Sequence, residues 1–179
     1  MVSTIRNSAR RLHGFTLVEL VVAVSIVAIL AALALPSFRE MSVRMTITSN
    51  ANDLVGALNL ARTEAVKRGY PVNVVATSSN WKNGWSVTPP SVIPALTLQS
   101  HPAVATNYKV LGAQGATAST AISFNATGNV ANSSNASYYF SVCRPTFAND
   151  QTQGRVIEVK PNGSITSYRR GSTSLAPGC

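Results

Sequence analysis

The sequence predicts an α+β chain in which one long N-terminal helix is followed by a run of antiparallel strands. Three observations carry this. From Leu20 to Leu35 every residue is apolar except Ser25, and none is charged, as in a helix that lives in apolar surroundings. Ala51, Leu54, Val55, Leu58, Ala61 and Ala65 then recur at helical spacing, which makes a single apolar stripe. Beyond Pro71, glycine, serine, threonine, asparagine and proline become frequent between short β-prone runs, and helix-then-strands is an α+β order.

Residues 1–14 are short, polar and basic, with Arg6, Arg10 and Arg11 and no acid. A helix from Phe15 to Leu35 spans about 30 Å at 1.5 Å per residue, the thickness of a bilayer's hydrocarbon core. Positive charge ahead of such a span keeps that end cytoplasmic and sends the rest across the membrane. A secretory signal would instead be cut after the apolar run at small residues, and Ala31-Ala32-Leu33-Ala34 offers such a place. Against that reading stand the length of the run and Glu19 inside it. A carboxylate at membrane depth is costly and marks a functional pairing, unless it sits near enough to the headgroups to be tolerated there.

Pro36 follows the run at once. It removes one backbone hydrogen bond and crowds the carbonyl of Ala32, which predicts a kink rather than an end. The helix then resumes. Asn52, Asn59, Arg62 and Lys67 fall mostly off the apolar stripe, so the stripe is a core face laid against a sheet. Lys67 and Arg68 occupy the last turn, and Gly69 with Pro71 stops the helix. Strands are predicted near Pro71–Ala76, Gly84–Val87, Ala121–Phe124, Tyr138–Val142, Arg155–Lys160 and Ser164–Tyr168. The last two flank Pro161-Asn162-Gly163, an Asn-Gly hairpin signal. Residues 88–120 lack clear periodicity and read as loops over the sheet, apart from a strand near Tyr108–Leu111.

Gly14-Phe15-Thr16-Leu17-Val18-Glu19, the apolar run and Pro36 together resemble the class III signal and mature N-terminus of type IV pilins and type II secretion pseudopilins. The resemblance implies the pilin fold, a long kinked helix packed on an antiparallel sheet. It divides the chain into a cleaved leader (1–14), a membrane and assembly half of the helix (15–35), an amphipathic half (36–69) and a periplasmic β-rich domain with a C-terminal tail (70–179). A prepilin peptidase would cut between Gly14 and Phe15 and methylate Phe15. Glu19 would pair with the new amino terminus of a neighbouring subunit, so that neither charge stands alone among apolar helices. The partners implied are that peptidase, the inner membrane before assembly, and other major and minor pilins through the N-terminal helix.

Within that superfamily the chain is most similar to the GspH/FimT minor pilins and pseudopilins. The resemblance lies in Ala61, Arg62, Glu64, Ala65, Arg68 and Gly69 at the helix end, then Trp81 with Gly84-Trp85. Phe124 with Gly128 and a closing Gly154-Arg155-Val156 strand and hairpin complete it. It implies a structural subunit, in a tip or initiation complex of a type IV pilus or in a secretion pseudopilus. For an exported domain, Cys143 and Cys179, the only cysteines, form one disulfide most simply.

The full chain carries 15 basic and 6 acidic side chains for a net charge of +9, and without the three leader arginines 12 basic remain against 6 acidic. That moderate positive charge is compatible with a polyanion partner and does not require one. Arg144, Arg155, Lys160, Arg169 and Arg170 supply candidate phosphate contacts, with a solvated rim as the plainer alternative. DNA-binding members of the group carry Gly-Arg-x-Arg near the C-terminus. Here the comparable hairpin position reads Gly163-Ser164-Ile165-Thr166, and Gly154-Arg155-Val156-Ile157 keeps only the first arginine. DNA is therefore the disfavoured partner. No cofactor is expected. Beyond the leader only His101 remains, ahead of Pro102 in a loop-like stretch, so neither a metal site nor a Ser-His-Asp set can be assembled. The Asn-x-Ser/Thr triplets at Asn125, Asn132, Asn135 and Asn162 reflect composition.

Overall fold

A computed structural model describes residues 15–90, 96–131, 135–144, 154–171 and 178. One helix, α1 (Leu17–Arg68), runs for 52 residues without interruption through position 36. The chain divides between Met41 and Ser42 into two compact units.

The first unit is the apolar part of α1. Thr16 sits ahead of the first turn, and its Oγ1 accepts the Glu19 amide at 3.2 Å. This is half of a capping box, with Thr at the cap and Glu three residues on. Ser25, the one polar side chain in the run, donates its hydroxyl to the Val21 carbonyl at 2.7 Å. That bond satisfies it without any partner outside the helix.

The second unit holds the rest of α1 and nine strands: β1 (Val72–Ala76), β2 (Trp85–Thr88), β3 (Gln99–His101), β4 (Lys109–Gln114), β5 (Thr117–Ala118), β6 (Ala121–Phe124), β7 (Tyr138–Cys143), β8 (Arg155–Val159) and β9 (Ile165–Arg169). They form two antiparallel sheets, ordered β3-β2-β1-β6 and β5-β4-β7-β8-β9. All six predicted strands are present to within a residue or so at their ends. Two expectations are corrected. A single sheet becomes two, and the stretch read as loops holds β3 and β5, while the strand expected near Tyr108–Leu111 is present as β4 and runs on to Gln114.

The missed β3 and the longer β4 have physical reasons. β3 is a three-residue edge strand, Gln-Ser-His, that offers no apolar alternation to detect. β4 continues past its expected end at Leu111 through Gly112, which serves packing: a Cβ there would stand 2.6 Å from Trp81 Nε1 and 3.0 Å from the Phe140 ring. A glycine inside a strand marks such a close approach. Trp81 thereby reaches the core, donates Nε1–H to the Ser119 carbonyl at 2.6 Å and meets Phe140 edge-on at 4.9 Å.

The predicted helix stripe is the core face. Ala51, Leu54, Leu58, Ala61 and Ala65 are fully buried, Val55 partly, and the face also takes in Val43, Ile47 and Ala57. The core it belongs to includes Val74, Val87, Ile122, Phe124, Phe140 and Ile157 from both sheets. Each buried leucine contributes about 1.5–3 kcal/mol of apolar transfer. The helix stops as its sequence says: Gly69 adopts φ +71° and returns its amide to the Ala65 carbonyl at 3.0 Å. The Asn-Gly hairpin is present too. Asn162 Oδ1 accepts the Ser164 amide at 3.0 Å while Gly163 takes φ +77°.

Candidate functional site

The first candidate site is the N-terminal helix itself. Every large apolar side chain from Phe15 to Leu35 is more than half exposed, from 79 % at Phe15 down to 52 % at Val22. An isolated chain could not hold such a surface in water. The helix is long and apolar enough, by length and composition, to cross a membrane. Glu19 lies in its first turn, where the positive end of the helix dipole favours a carboxylate. Thr16, which caps that turn, is the residue the sequence reading passed over. The signal was there in the Thr-Leu-Val-Glu spacing. Gly14 lies outside the described residues.

The second candidate lies at one end of the five-stranded sheet. Its register sets Lys109 opposite Cys143, Val142 opposite Arg155, and Arg155 opposite Arg169. Arg144 follows directly on Cys143, and the Arg170 amide bonds to the Gly154 carbonyl at 2.8 Å. Arg144, Arg155, Arg169 and Arg170 are thus brought together, with Lys109 as a member that sequence spacing could not reveal. The Arg144 guanidinium lies 5.9 Å from the centre of the Tyr108 ring, within cation–π range. Lys160 does not join them. It follows the far end of β8, roughly 16 Å along the strand from Arg155.

Cys143 is fully buried at the end of β7, and Cys179 lies outside the described residues. His101 is not in a loop. It sits in β3 directly opposite Trp85, with the two rings stacked at 4.0 Å and 4° and Nε2 3.4 Å from Asp53 Oδ2. The loop expectation failed because β3 is too short and polar to announce itself. Among the described residues no three His, Cys, Asp or Glu side chains come together.

The sequence profile of the family described as "Type II transport protein GspH" matches residues 50–163, more than half of the chain. The chain belongs to this GspH family. Residues 9–35 separately match the prokaryotic N-terminal methylation motif, which covers the Gly14-Phe15 junction and Glu19. The family is one of structural pilins and pseudopilins, and its apolar N-terminal helix points to membrane anchoring.

Relatives agree. The GspH-family chain resembles the Pseudomonas aeruginosa type IV minor pilin FimU in two crystal forms. In space group P21 the TM-score is 0.57 at 25 % identity, over 70 % of this chain and 90 % of that one. In P65 it is 0.56 at 23 % identity, over 68 % and 91 %, a likeness of fold. Two P. aeruginosa fimbrial proteins are each 38 % identical over 64 residues, or 36 % of this chain. The match spans about two fifths of those proteins' length, 41 %.

Proposed function

We propose that this chain is a minor pilin or pseudopilin, a non-enzymatic structural subunit of a type IV pilus, in its tip or initiation complex, or of the related secretion pseudopilus. The observation that carries the reading is the exposed apolar helix with Glu19 in its first turn. The precursor enters the inner membrane through this helix, with the β-rich domain in the periplasm. A prepilin peptidase removes residues 1–14 and methylates Phe15. In the filament, Glu19 of one subunit meets the Phe15 ammonium of another. Removing either partner leaves a charge stranded among apolar helices, at a cost of about 3–5 kcal/mol. Pro36 gives the helix its bend, and a Cys143–Cys179 bond ties the C-terminal tail to the end of β7.

The test is incorporation. Glu19→Ala should leave the subunit in the membrane at wild-type level yet lower its yield in sheared filaments at least tenfold. Unchanged incorporation would remove the proposed pairing.

A second reading has one observation in its favour, the gathering of Lys109, Arg144, Arg155, Arg169 and Arg170 at one sheet end. In this reading the subunit also holds DNA by its phosphates. Gel retardation by the full chain in detergent should then weaken with salt. Arg169→Ala with Arg170→Ala should lower the salt slope by about 0.9 for each lost phosphate contact. No salt-sensitive retardation leaves the structural role alone.

A further inference from the structure

The five-stranded sheet is buried on both of its faces, although only one of them joins the core. Every residue of β7 is buried, yet only Tyr138, Phe140 and Val142 belong to the core shared with α1 and the four-stranded sheet. Side chains alternate along a strand, so Tyr139, Ser141 and Cys143 stand on the opposite, outer face. Strand register carries that face across the sheet, with Ser141, Val156 and Tyr168 in one row and Tyr139 and Glu158 in the next. At its centre Ser141, Cys143 and Val156 are fully buried. An antiparallel sheet packed on one face leaves the other to water unless a further layer covers it. Rim side chains supply part of that layer: Arg170 lies across Gly154, where a Cβ would stand 3.2 Å from its Cδ.

The chain that leaves β9 can supply the rest. The Arg170 amide bonds to the Gly154 carbonyl, and Gly171 then turns at φ +111°, a conformation open to glycine. This turn lies one row beyond the paired Val142, Arg155 and Arg169, in line with Cys143. The two are separated by two strand spacings, about 10 Å. Residues 172–178 can reach about 25 Å, so a chain returning to Cys143 has length to spare for the row at Val156. Cys143 itself is not a free thiol. Between Gly171 and Cys179 the only large apolar side chain is Leu175, which stands midway.

We infer that residues 172–178 dock on the outer face of the five-stranded sheet, with Leu175 seated over Val156 and Tyr139 and with Cys179 bonded to Cys143 as the clasp. The inference rests on the Cys143–Cys179 bond proposed above and gives that bond its purpose. It holds a segment of the chain itself on an apolar face that would otherwise stand open, where a contiguous apolar patch invites unwanted association. A partner that approaches this side of the sheet meets a serine- and threonine-rich segment in place of Val156.

Two measurements on the full chain in detergent, without reductant, test the docking. Peptide mapping by mass spectrometry should return the segments around Cys143 and Cys179 as one linked species. Nuclear Overhauser spectra with leucine and valine methyls labelled should connect Leu175 to the Val156 methyls and to the Tyr139 ring. The Leu175 signals are identified as those lost in Leu175→Ala. A linked pair without these contacts overturns the docking and leaves the bond standing. Contacts to Val156 from Phe147, in the connection between β7 and β8, overturn it equally, because another segment then forms the layer. Two free thiols would overturn the bond and the docking together.

Discussion

Arg62 on α1 donates its Nε–H to the carbonyl oxygen of Gly128 across 3.0 Å. Gly128 turns at φ +80° after β6, and the Gly163 hairpin turn closes over the same oxygen. A Cβ on Gly163 would stand 2.0 Å from Gly128 O and 2.9 Å from Arg62 Nε. The Val130 amide, bonded to the Pro161 carbonyl at 2.9 Å, adds a second tie between the two turns. The helix end, the β6 turn and the β8–β9 hairpin are thus locked together by one guanidinium and two glycines.

That lock predicts two effects on stability. Arg62→Ala removes a hydrogen bond from a charged donor and should lower unfolding free energy by about 1.5–3 kcal/mol. Gly163→Ala meets backbone at a positive φ and should cost about 1–3 kcal/mol. Chemical denaturation of the full chain in detergent, followed by tryptophan fluorescence, measures both.

Trp81→Phe should be destabilising although it keeps an aromatic ring in the core. The Ser119 carbonyl loses its 2.6 Å donor at a part-buried site, and an acceptor left without a partner costs up to about 1–3 kcal/mol when it is buried. The same denaturation curves check it.

Stability should fall at alkaline pH. Burial pushes the Tyr168 hydroxyl above its ordinary range, and the charge of Glu158 and then Tyr139 push the same way. Burial alone raises Tyr138. Glu158 is held in place by Ser137 and Tyr139, whose hydroxyls donate to its Oε1 at 3.2 and 3.4 Å. A tyrosine that ionises later in the folded than in the unfolded chain adds stability below its unfolded value of about 10, and that stability drains away as pH rises further. Thermal midpoints should hold steady to about pH 9 and drop beyond it. Tyr168→Phe should drop less steeply.

Reduction should matter in the same assay. A Cys143–Cys179 bond closes a loop of about 37 residues, worth roughly 3–4 kcal/mol. A reducing agent, or Cys143→Ser, should therefore lower the midpoint by several degrees. An unchanged midpoint would remove the bond from the account.

Much of this was legible in the sequence because it rests on periodicity and punctuation. Leu54, Leu58 and Ala61 declared the core face, Gly69 the helix end, and Asn162-Gly163 the hairpin. What stayed hidden depends on contacts between distant segments. Gly112 reads as a breaker until Trp81 is seen filling the space it leaves. His101 reads as a loop residue until Trp85 and Asp53 stand beside it. Lys109 joins the arginines only through strand register, and the same register sends Lys160 to the other end. Helix α1 could be read from local sequence, whereas the partition of the strands into two sheets could not.

The central claim concerns what happens at the Gly14-Phe15 junction, and intact mass spectrometry of the chain recovered from filaments addresses it directly. The account predicts a product that begins at Phe15 and carries one methyl group on its amine. A product that retains residues 1–14, or one that begins beyond the apolar run near Ala34, would contradict it.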